Sequence, residues 1–520
     1  MNGQRPRARA LPLLLVTLLF VGCSVNPVTG RNELLLVSED WERQVGEQQY
    51  APLRQAQGGD YVVDPAVEAY VRQVGQRLAL QSDRRLPYEF NVINDSSPNA
   101  WALPGGKISI NRGLLVELDS EAQLAAVLGH EIVHAAAKHG ARGQTRGIGL
   151  QLAVMTATVV GAREGYGQLA QLGSTLGAQL INSKYGRDAE LESDHYGMRY
   201  MRAAGYDPTG AVALQETFVR LADGQRTDFL TGLFASHPPS RARVAANRRT
   251  AAALPPGGDL GRERYRERTA RLIRSKPAYE QFDRAQAALV KGDAREAARL
   301  TRAALAIEPD EAHFHSLLGD IAIKGKSWSS ARRSFDRAIA LNDQFFYYFL
   351  QRAKVLEATR DSAGAAADYR RSLALMPSSD AQVALGALAA AAGNLSQAER
   401  YYTAAAQASD ASGKRARRAL ASLSPPARDA ATTIQVRKGV TRNGTLAFEL
   451  INRGARPLTG IELTIRLAPG QAVRVQKIRG TLPPGSRRSL DTGQPTTTAG
   501  AARVAIRVSA ARPAGPGGRS

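Results

Sequence analysis

Apolar residues recur at a helical spacing over much of the first half of the chain. Between residues 64 and 80 they lie three or four positions apart (Val67, Tyr70, Val71, Val74 and Leu78), which predicts an amphipathic helix. Residues 121–139 show the same period, with no Pro and one Gly. Residues 88–94 alternate instead and predict a strand, and residues 101–111 predict a hairpin or an edge strand. We therefore expect a mainly helical domain with a small sheet over residues 23–250.

A second helical pattern repeats between residues 276 and 411. Pro309, Asp343 and Pro377 lie 34 residues apart. Small and aromatic residues follow nearly the same period: Ala297, Ala331, Ala365 and Ala398, Phe335, Tyr369 and Tyr402, and Gly319, Ala353 and Gly386. This pattern is typical of tetratricopeptide repeats, in which two helices per unit touch at small residues. It predicts about four units and a groove for peptides or partner proteins. A purely structural helical spacer is the alternative.

The last hundred residues change from helical period to strict alternation. Residues 431–512 alternate between Gly and Pro turns and predict an all-β sandwich. From residue 428 onward there are 16 Lys and Arg against 4 Asp and Glu, so either an anionic partner binds there or the charges are solvated. Pro-, Gly- and Arg-rich stretches at 251–275 and 412–430 predict linkers, and residues 513–520 predict a disordered tail.

Composition supports a multidomain globular chain. Its 520 residues are 43% hydrophobic, which suits several packed domains. A single Cys excludes an internal disulfide. The net charge of +22 favours anionic partners such as lipid headgroups, although an Arg-rich genome explains it equally well. We expect no nucleic-acid partner.

The N-terminus has the features of a lipoprotein signal peptide over residues 1–22. Arg5, Arg7 and Arg9 precede an apolar core, Leu11 to Val21, that is too short to span a bilayer as a mature helix. The segment ends at Phe20-Val-Gly-Cys23, which resembles a lipobox, and places the lone Cys where lipidation needs a thiol. The residue after Cys23 is Ser24 and not Asp. By resemblance to lipoprotein sorting signals, this implies that the protein is anchored to the outer membrane and faces the periplasm. A plain signal peptide with a free Cys23 is the alternative.

The chemistry of the chain centres on His130-Glu131-Ile132-Val133-His134. Two His residues four apart share one face of the predicted helix and can reach one Zn²⁺ at about 2.0–2.1 Å. Glu131 stands beside the first ligand and can act as general base on metal-bound water. With only seven His in the chain, a chance occurrence of this restrictive pattern is the weaker interpretation.

A zinc hydrolase needs a third protein ligand, and Glu190 is the best candidate. Glu190 and Asp194 again lie four apart, so both can face the metal from a second helix. Glu190 would bind zinc, and Asp194 would accept a hydrogen bond from a ligand His and fix its tautomer. Glu192 is expected to point elsewhere and be solvated, and His139 and His195 to be surface or packing residues. Residues 147–161 are nearly uncharged but too short for a membrane span, and we expect a mobile helical flap there.

These motifs resemble the gluzincin family that includes the heat-shock membrane protease HtpX and the CAAX prenyl endopeptidase. His-Glu-x-x-His followed by Glu-x-x-x-Asp is its pattern, and the resemblance makes Glu190 the third ligand. Three further stretches agree: Asn26-Pro-Val-Thr-Gly-Arg31, Pro98 to Gly106, and Ser236-His237-Pro-Pro followed by Arg243. The chain is most similar to periplasmic members that join such a domain to tetratricopeptide repeats, and the similarity covers roughly residues 24–410.

The resemblance also assigns roles beyond the metal ligands. Asn99, Ala100, Trp101 and Ala102 would form the active-site edge strand, which binds an extended peptide by strand addition. His237 would lie near the zinc and either stabilise the oxyanion or occupy the open metal position and keep the enzyme latent. A turn His beside Pro-Pro is the alternative for His237. Arg243 would orient the site.

The prediction is a zinc metalloendopeptidase with one Zn²⁺ per subunit, joining a zincin-like domain, a repeat solenoid and a β-sandwich. The resemblance implies cleavage of misfolded or unassembled proteins in outer-membrane quality control. It also implies that the repeats recruit substrates or the assembly machinery. Two other classes stay open: a chaperone-like repeat scaffold with a latent metal site, and a non-proteolytic zinc hydrolase.

Overall fold

The computed structural model describes residues 23–145, 185–223, 237–423, 433–454, 457–467 and 474–513. The chain divides into two compact units, Met1–Leu385 and Gly386–Ser520, which are described separately. The predicted signal peptide, the predicted flap at 147–161 and residues 514–520 of the predicted tail lie outside the described residues.

The first unit begins with a short antiparallel hairpin and continues as a helical domain. The hairpin strands are β1 (Cys23–Val25) and β2 (Asn32–Leu34). The helices of the domain are α1 (Glu39–Ala56), α2 (Pro65–Ala79), α3 (Arg112–Leu115), α4 (Glu121–Ala136), α5 (Arg187–Ala203), α6 (Thr209–Asp223) and α7 (Arg241–Ala253). Helix α4 lies at the centre of this domain, and every one of its residues is buried.

A three-stranded sheet covers one side of this helical core. It consists of β3 (Glu89–Ile93), β4 (Ala100–Leu103) and β5 (Lys107–Asn111), in the order β3-β5-β4. Strand β3 runs parallel to β5, and β4 pairs antiparallel with β5 through the predicted hairpin. Strand β4 is therefore an edge strand, as its sequence predicts.

The repeats form antiparallel helix pairs. The helices are α8 (Arg262–Arg268), α9 (Ala270–Val290), α10 (Ala294–Ile307), α11 (Ala312–Lys324), α12 (Trp328–Leu341), α13 (Phe346–Ala358), α14 (Ser362–Leu375), α15 (Ser379–Ala391), α16 (Leu395–Ala405) and α17 (Ala411–Leu423). The four periodic Ala residues are completely buried. A Cβ at Gly319 would lie 2.6 Å from the ring of Phe335, and one at Gly386 would lie 2.6 Å from the ring of Tyr402. The 34-residue pattern thus marks the positions where paired helices touch.

Neither predicted linker is an extended connection along its whole length. Within 251–275, α8 and the start of α9 pack on the first domain: Tyr265 is 1% exposed and Leu272 is completely buried. Within 412–430, α17 continues the helical array to Leu423 and buries Ala416. Both stretches are rich in Arg and contain few apolar residues, so their composition predicts linkers. The few apolar residues nevertheless pack against neighbouring helices. The predicted domain boundaries themselves stay predictions.

The second unit ends in two small antiparallel sheets. The strands are β6 (Ile434–Val440), β7 (Thr445–Asn452), β8 (Leu458–Arg466), β9 (Arg474–Ile478), β10 (Arg487–Pro495) and β11 (Ala505–Pro513), with helix α18 (Thr498–Arg503) before the last. One sheet has the order β10-β7-β6 and the other β11-β8-β9. Residues such as Phe448 and Leu463, from opposite sheets, share one hydrophobic core. This confirms the predicted sandwich of sheets and the predicted fold class.

No helix within the described ranges has both the length and the apolar character that a membrane span requires. The signal peptide prediction is not affected by this result, because residues 1–22 are not among those described.

Candidate metal centre

The close crossing of α4 and α5 positions the candidate metal ligands. Helix α4 begins at Ser120, whose Oγ accepts a hydrogen bond from Gln123 N at 3.2 Å. Gly129 of α4 faces Gly197 of α5: a Cβ on Gly197 would lie 3.1 Å from Gly129 C and from His130 N. Two residues without side chains thus allow the backbones to touch. This approach brings His130 and His134 of α4 against Glu190 and Asp194 of α5.

Four buried side chains from three segments converge at this crossing: His130, His134, Glu190 and His237. His134 Nε2 lies 3.0 Å from His130 Nε2 and 3.4 Å from Glu190 Oε1. His237 Nδ1 lies 3.3 Å from His130 Nε2 and 2.9 Å from Glu190 Oε1. The structure therefore brings together the three ligands predicted from the motifs, with His237 beside them as a fourth potential ligand.

The spacing of these atoms fits a tetrahedral zinc site. Ligand atoms placed about 2.0–2.1 Å from one ion at tetrahedral angles lie about 3.3–3.4 Å from each other. The four distances between potential ligand atoms, 2.9, 3.0, 3.3 and 3.4 Å, are close to that value. Charge balance points the same way, because Glu131, Glu190 and Asp194 are all buried and Arg243 is the cation that contacts two of them. A divalent cation would neutralise the remaining two negative charges when the imidazoles are neutral.

Asp194 and Arg243 hold the outer side of the cluster. Asp194 Oδ1 lies 3.0 Å from His130 Nδ1, the geometry of a carboxylate that fixes the tautomer of a ligand His. Arg243, near the start of α7, donates to both oxygens of Asp194, at 2.7 and 2.8 Å, and lies 2.8 Å from Glu190 Oε2. Burial alone would raise the pKa of Asp194, but Arg243 and His130 together outweigh it and hold that pKa below its ordinary value. Both residues thus lie where the sequence places them.

Glu131 lies beside the cluster with one free oxygen. Its side chain is buried, and within the described part of the chain Oε2 has no hydrogen-bond partner. A cavity of about 30 Å³ next to it, lined also by Val127 and Leu214, has room for one water molecule. Burial raises the pKa of Glu131, which makes this carboxylate a stronger proton acceptor. Burial also lowers the pKa of His134 well below its ordinary value, so this imidazole is neutral.

Three residues near the cluster were not predicted to take part. His139 is predicted to be a surface or packing residue; it is buried, at 3% exposed, and in addition its Nδ1 lies 2.9 Å from His134 Nδ1. Glu192 was expected to be solvated, yet its Oε1 lies 3.0 Å from His139 Nε2. Tyr185 places its ring 3.9 Å from that of His134. No local signal in the sequence indicates the burial of Glu192, because its cover comes from other elements. His195, by contrast, lies on the exposed side of α5, in accord with its prediction.

The predicted substrate strand lies next to the cluster, but its side chains point into the protein. Ala102, Leu103 and Pro104 line a small cavity together with His134 and Tyr185. Trp101 is 3% exposed and donates from Nε1 to Gln57 Oε1 at 3.0 Å. Ala100 is fully buried, and Asn99 O accepts a hydrogen bond from Asn111 N. Strand β4 is thus the edge of the sheet, its residues are at most 6% exposed, and substrate binding there stays a prediction. Cys23 opens strand β1, and its lipidation is likewise a prediction.

Comparison with known families agrees with this geometry. Residues 65–251 match the family model described as Peptidase family M48, and residues 282–344 match a Tetratricopeptide repeat model. The chain carries an M48 peptidase domain. The M48 family is zinc-dependent, and its domain here contains all four converging ligands.

Three curated relatives show what this domain resembles. The Putative beta-barrel assembly-enhancing protease of Vibrio cholerae is 31% identical over 202 residues, which are 37% of this chain and 41% of that protein. Mitochondrial metalloendopeptidase OMA1 of Schizosaccharomyces pombe is 32% identical over 42% of this chain and 63% of its own. Metalloprotease YcaL of Escherichia coli is 33% identical over 30% of this chain and 60% of its own. The matched segment thus spans less than two thirds of each relative.

The helix crossing generates a testable prediction. Gly197→Ala should push α5 away from α4, because the new Cβ would meet Gly129 C and His130 N at 3.1 Å. We expect a loss of stability of about 1–3 kcal/mol together with weaker zinc binding. Thermal unfolding and chelator competition measure the two effects.

Gly143→Ala is the matched control, because a Cβ there meets no atom within 4 Å. Equal zinc affinity in Gly197→Ala and the control would show that the close crossing does not set the ligand geometry.

Proposed function

We propose that the protein is a zinc-dependent endopeptidase of the periplasm that cleaves misfolded or unassembled proteins during outer-membrane protein quality control. One observation carries this proposal: four buried residues of the types that bind zinc lie together, next to a Glu131 oxygen that has no hydrogen-bond partner within the described residues. The setting follows from relatives named beta-barrel assembly-enhancing protease and from the predicted lipid anchor at Cys23. Cys23 would hold the chain at the outer membrane.

The proposed mechanism divides the work among the residues of the centre. His130, His134 and Glu190 would hold one Zn²⁺, which would supply Lewis acidity and activate water for attack. Glu131 Oε2 takes the proton of the attacking water and passes it to the leaving amine. Asp194 keeps the proton of His130 on Nδ1, so that Nε2 faces the metal position. Arg243 orients Asp194 and offsets its charge.

His237 has two roles open to it, and the geometry favours one. A catalytic zinc needs an open coordination position, and His237 Nδ1 lies where a fourth ligand would stand. With His237 bound there, protein side chains would take all four positions of a tetrahedral zinc site. We therefore propose that the structure is a latent state and that His237 leaves when substrate enters. Its Nε2 lies 3.6 Å from Glu131 Oε1, so it also covers the general base.

Recruitment of polypeptide by the repeats has a structural basis in a groove of about 890 Å³. The groove lies between the peptidase domain and helices α9, α11 and α13. Five carboxylates line it (Asp95, Glu117, Glu280, Asp283 and Asp320) against two cations (Arg112 and Lys276), with an aromatic wall that includes Phe346 and Tyr347. This lining suits an extended polypeptide with basic and apolar side chains. The groove ends at Ser97 and Pro98, just before the edge strand β4. A polypeptide bound in the groove could therefore continue toward the metal centre.

A chaperone-like scaffold with a latent metal site is the second candidate function. The closed centre favours it, because each of the four ligand residues is at most 8% exposed. The free carboxylate oxygen of Glu131 argues against it, because a scaffold gains nothing from a buried base without a partner. The assembly machinery of the outer membrane is a further possible partner of the repeats in both cases.

Glu131→Gln tests the enzymatic proposal. We expect stoichiometric zinc to remain, because Glu131 is not a proposed ligand, while cleavage of casein or unfolded porin falls about 100-fold or more through loss of the base. Zinc analysis and a gel-based cleavage assay measure both. Unchanged cleavage would sink the catalytic assignment, and full complementation of a deletion strain by this variant would favour the scaffold.

His237→Ala tests latency. The open state of such a two-state site is commonly populated at 10% or less, so we expect cleavage to rise about tenfold or more when the fourth ligand is removed. The same cleavage assay measures this, with exposed His195→Ala as the control. A variant with bound zinc and reduced cleavage would instead indicate that His237 stabilises the oxyanion.

Glu280→Lys tests the groove. A charge reversal at this exposed lining residue should raise the KM for unfolded basic protein about two- to fivefold, with kcat unchanged. Cleavage of a short peptide that fits only the metal centre should not change. Glu399→Lys, at an exposed position of α16 outside the groove, is the control. The same KM shift in both variants would indicate a general charge effect and remove the groove from the mechanism.

A further inference from the structure

A chain of hydrogen bonds continues behind His134, on the side away from the metal position. His134 Nδ1 lies 2.9 Å from His139 Nδ1, and His139 Nε2 lies 3.0 Å from Glu192 Oε1. The His139 side chain is completely buried, and that of Glu192 is 12% exposed. His134 therefore reaches a carboxylate through one intervening imidazole.

The protonation of this chain follows from the role of His134. If His134 Nε2 binds zinc, its proton must be on Nδ1, and the neighbouring acceptor is His139 Nδ1. His139 must then carry its own proton on Nε2, which donates to Glu192 Oε1. Each of the two contacts has one donor and one acceptor in this arrangement. The tautomers of both imidazoles are thereby fixed by Glu192.

The far end of the chain is held by the N-terminal hairpin. Asn26 donates from Nδ2 to Glu192 Oε1 at 3.3 Å and to Glu33 Oε1 at 3.1 Å. Its own Oδ1 accepts from Val28 N and Thr29 N, so the turn between β1 and β2 fixes the direction of this amide. Arg142 approaches both carboxylates, with Nε 3.2 Å from Glu33 and Nη1 3.6 Å from Glu192.

We propose that His139 and Glu192 are positioning residues for His134, and that the N-terminal hairpin supports the metal centre through Asn26. This inference rests on the proposed zinc site. It gives the Asn-Pro-Val-Thr-Gly turn between β1 and β2 a structural role at the metal centre. It also makes α5 the support of both ligand histidines: Asp194 holds His130 directly, and Glu192 holds His134 through His139.

Zinc affinity of purified full-length protein tests the inference. His139→Leu leaves His134 Nδ1 without an acceptor, and we expect zinc affinity to fall about tenfold or more. His139→Asn keeps an acceptor oxygen near the position of Nδ1 and should recover most of that loss. Competition with a chromophoric zinc chelator measures affinity, and thermal unfolding of the metal-free protein reports whether each variant folds.

A second pair of variants covers the case in which His139→Leu does not fold. Glu192→Gln keeps an oxygen that accepts from His139 Nε2–H and should bind zinc nearly as wild type does, whereas Glu192→Leu should lose affinity about tenfold. Asn26→Ala should cause a smaller loss in the same direction. Asp188→Asn, an exposed carboxylate on the same helix, is the control for charge alone.

The outcomes separate this inference from the proposed function. Wild-type affinity in folded His139→Leu or Glu192→Leu would overturn the positioning role and leave the zinc site intact. Equal losses in Leu and amide variants would also overturn it, because a hydrogen-bond relay must distinguish them. Absence of zinc binding in the wild type would contradict the proposed metal site itself.

Discussion

The metal centre depends on how closely two helices approach at Gly129 and Gly197. Metal ligands tolerate little error in position, and here they come from α4, α5 and the segment that precedes α7. A pair of facing glycines lets α4 and α5 make backbone contact, so that side chains as short as those of Glu190 and Asp194 reach the histidines of the neighbouring helix. The rest of the domain packs around this contact and encloses α4 on every side.

Because the metal centre is enclosed, the negative charges of its carboxylates are buried and must be offset by neighbouring groups. Three carboxylates lie within the buried centre, and an unpaired buried charge is strongly unfavourable. Arg243 offsets part of this charge through a bidentate contact with Asp194, and a divalent ion would offset the rest. The same enclosure keeps His134 neutral, since burial lowers its pKa well below the ordinary value. Metal binding and the low accessibility of the centre are therefore two results of one packing arrangement.

Sequence alone predicted those parts of the structure that depend on local periodicity. The two His of α4, the pair Glu190 and Asp194, and the 34-residue spacing of the repeats all follow from which residues share a helix face. What it could not predict are contacts between elements. Nothing local indicates that Gly129 faces a glycine of another helix. Nothing local shows either that the N-terminal hairpin and the end of α4 cover Glu192, which is why the sequence predicts a solvated side chain there. The Arg-rich stretch near Tyr265 was taken for a linker for the same reason.

The edge strand β4 has a consequence for what the centre can distinguish. All of its side chains are buried: Trp101 donates a hydrogen bond to Gln57, and the two alanines pack in the hydrophobic core. A polypeptide lying along it would meet only main-chain N–H and C=O groups, which every residue except proline can match. Recognition at that strand would therefore be indifferent to sequence and sensitive to conformation. In a folded protein the backbone N–H and C=O groups are already paired, so they could not bind to this strand. An unfolded chain has unpaired backbone groups that could.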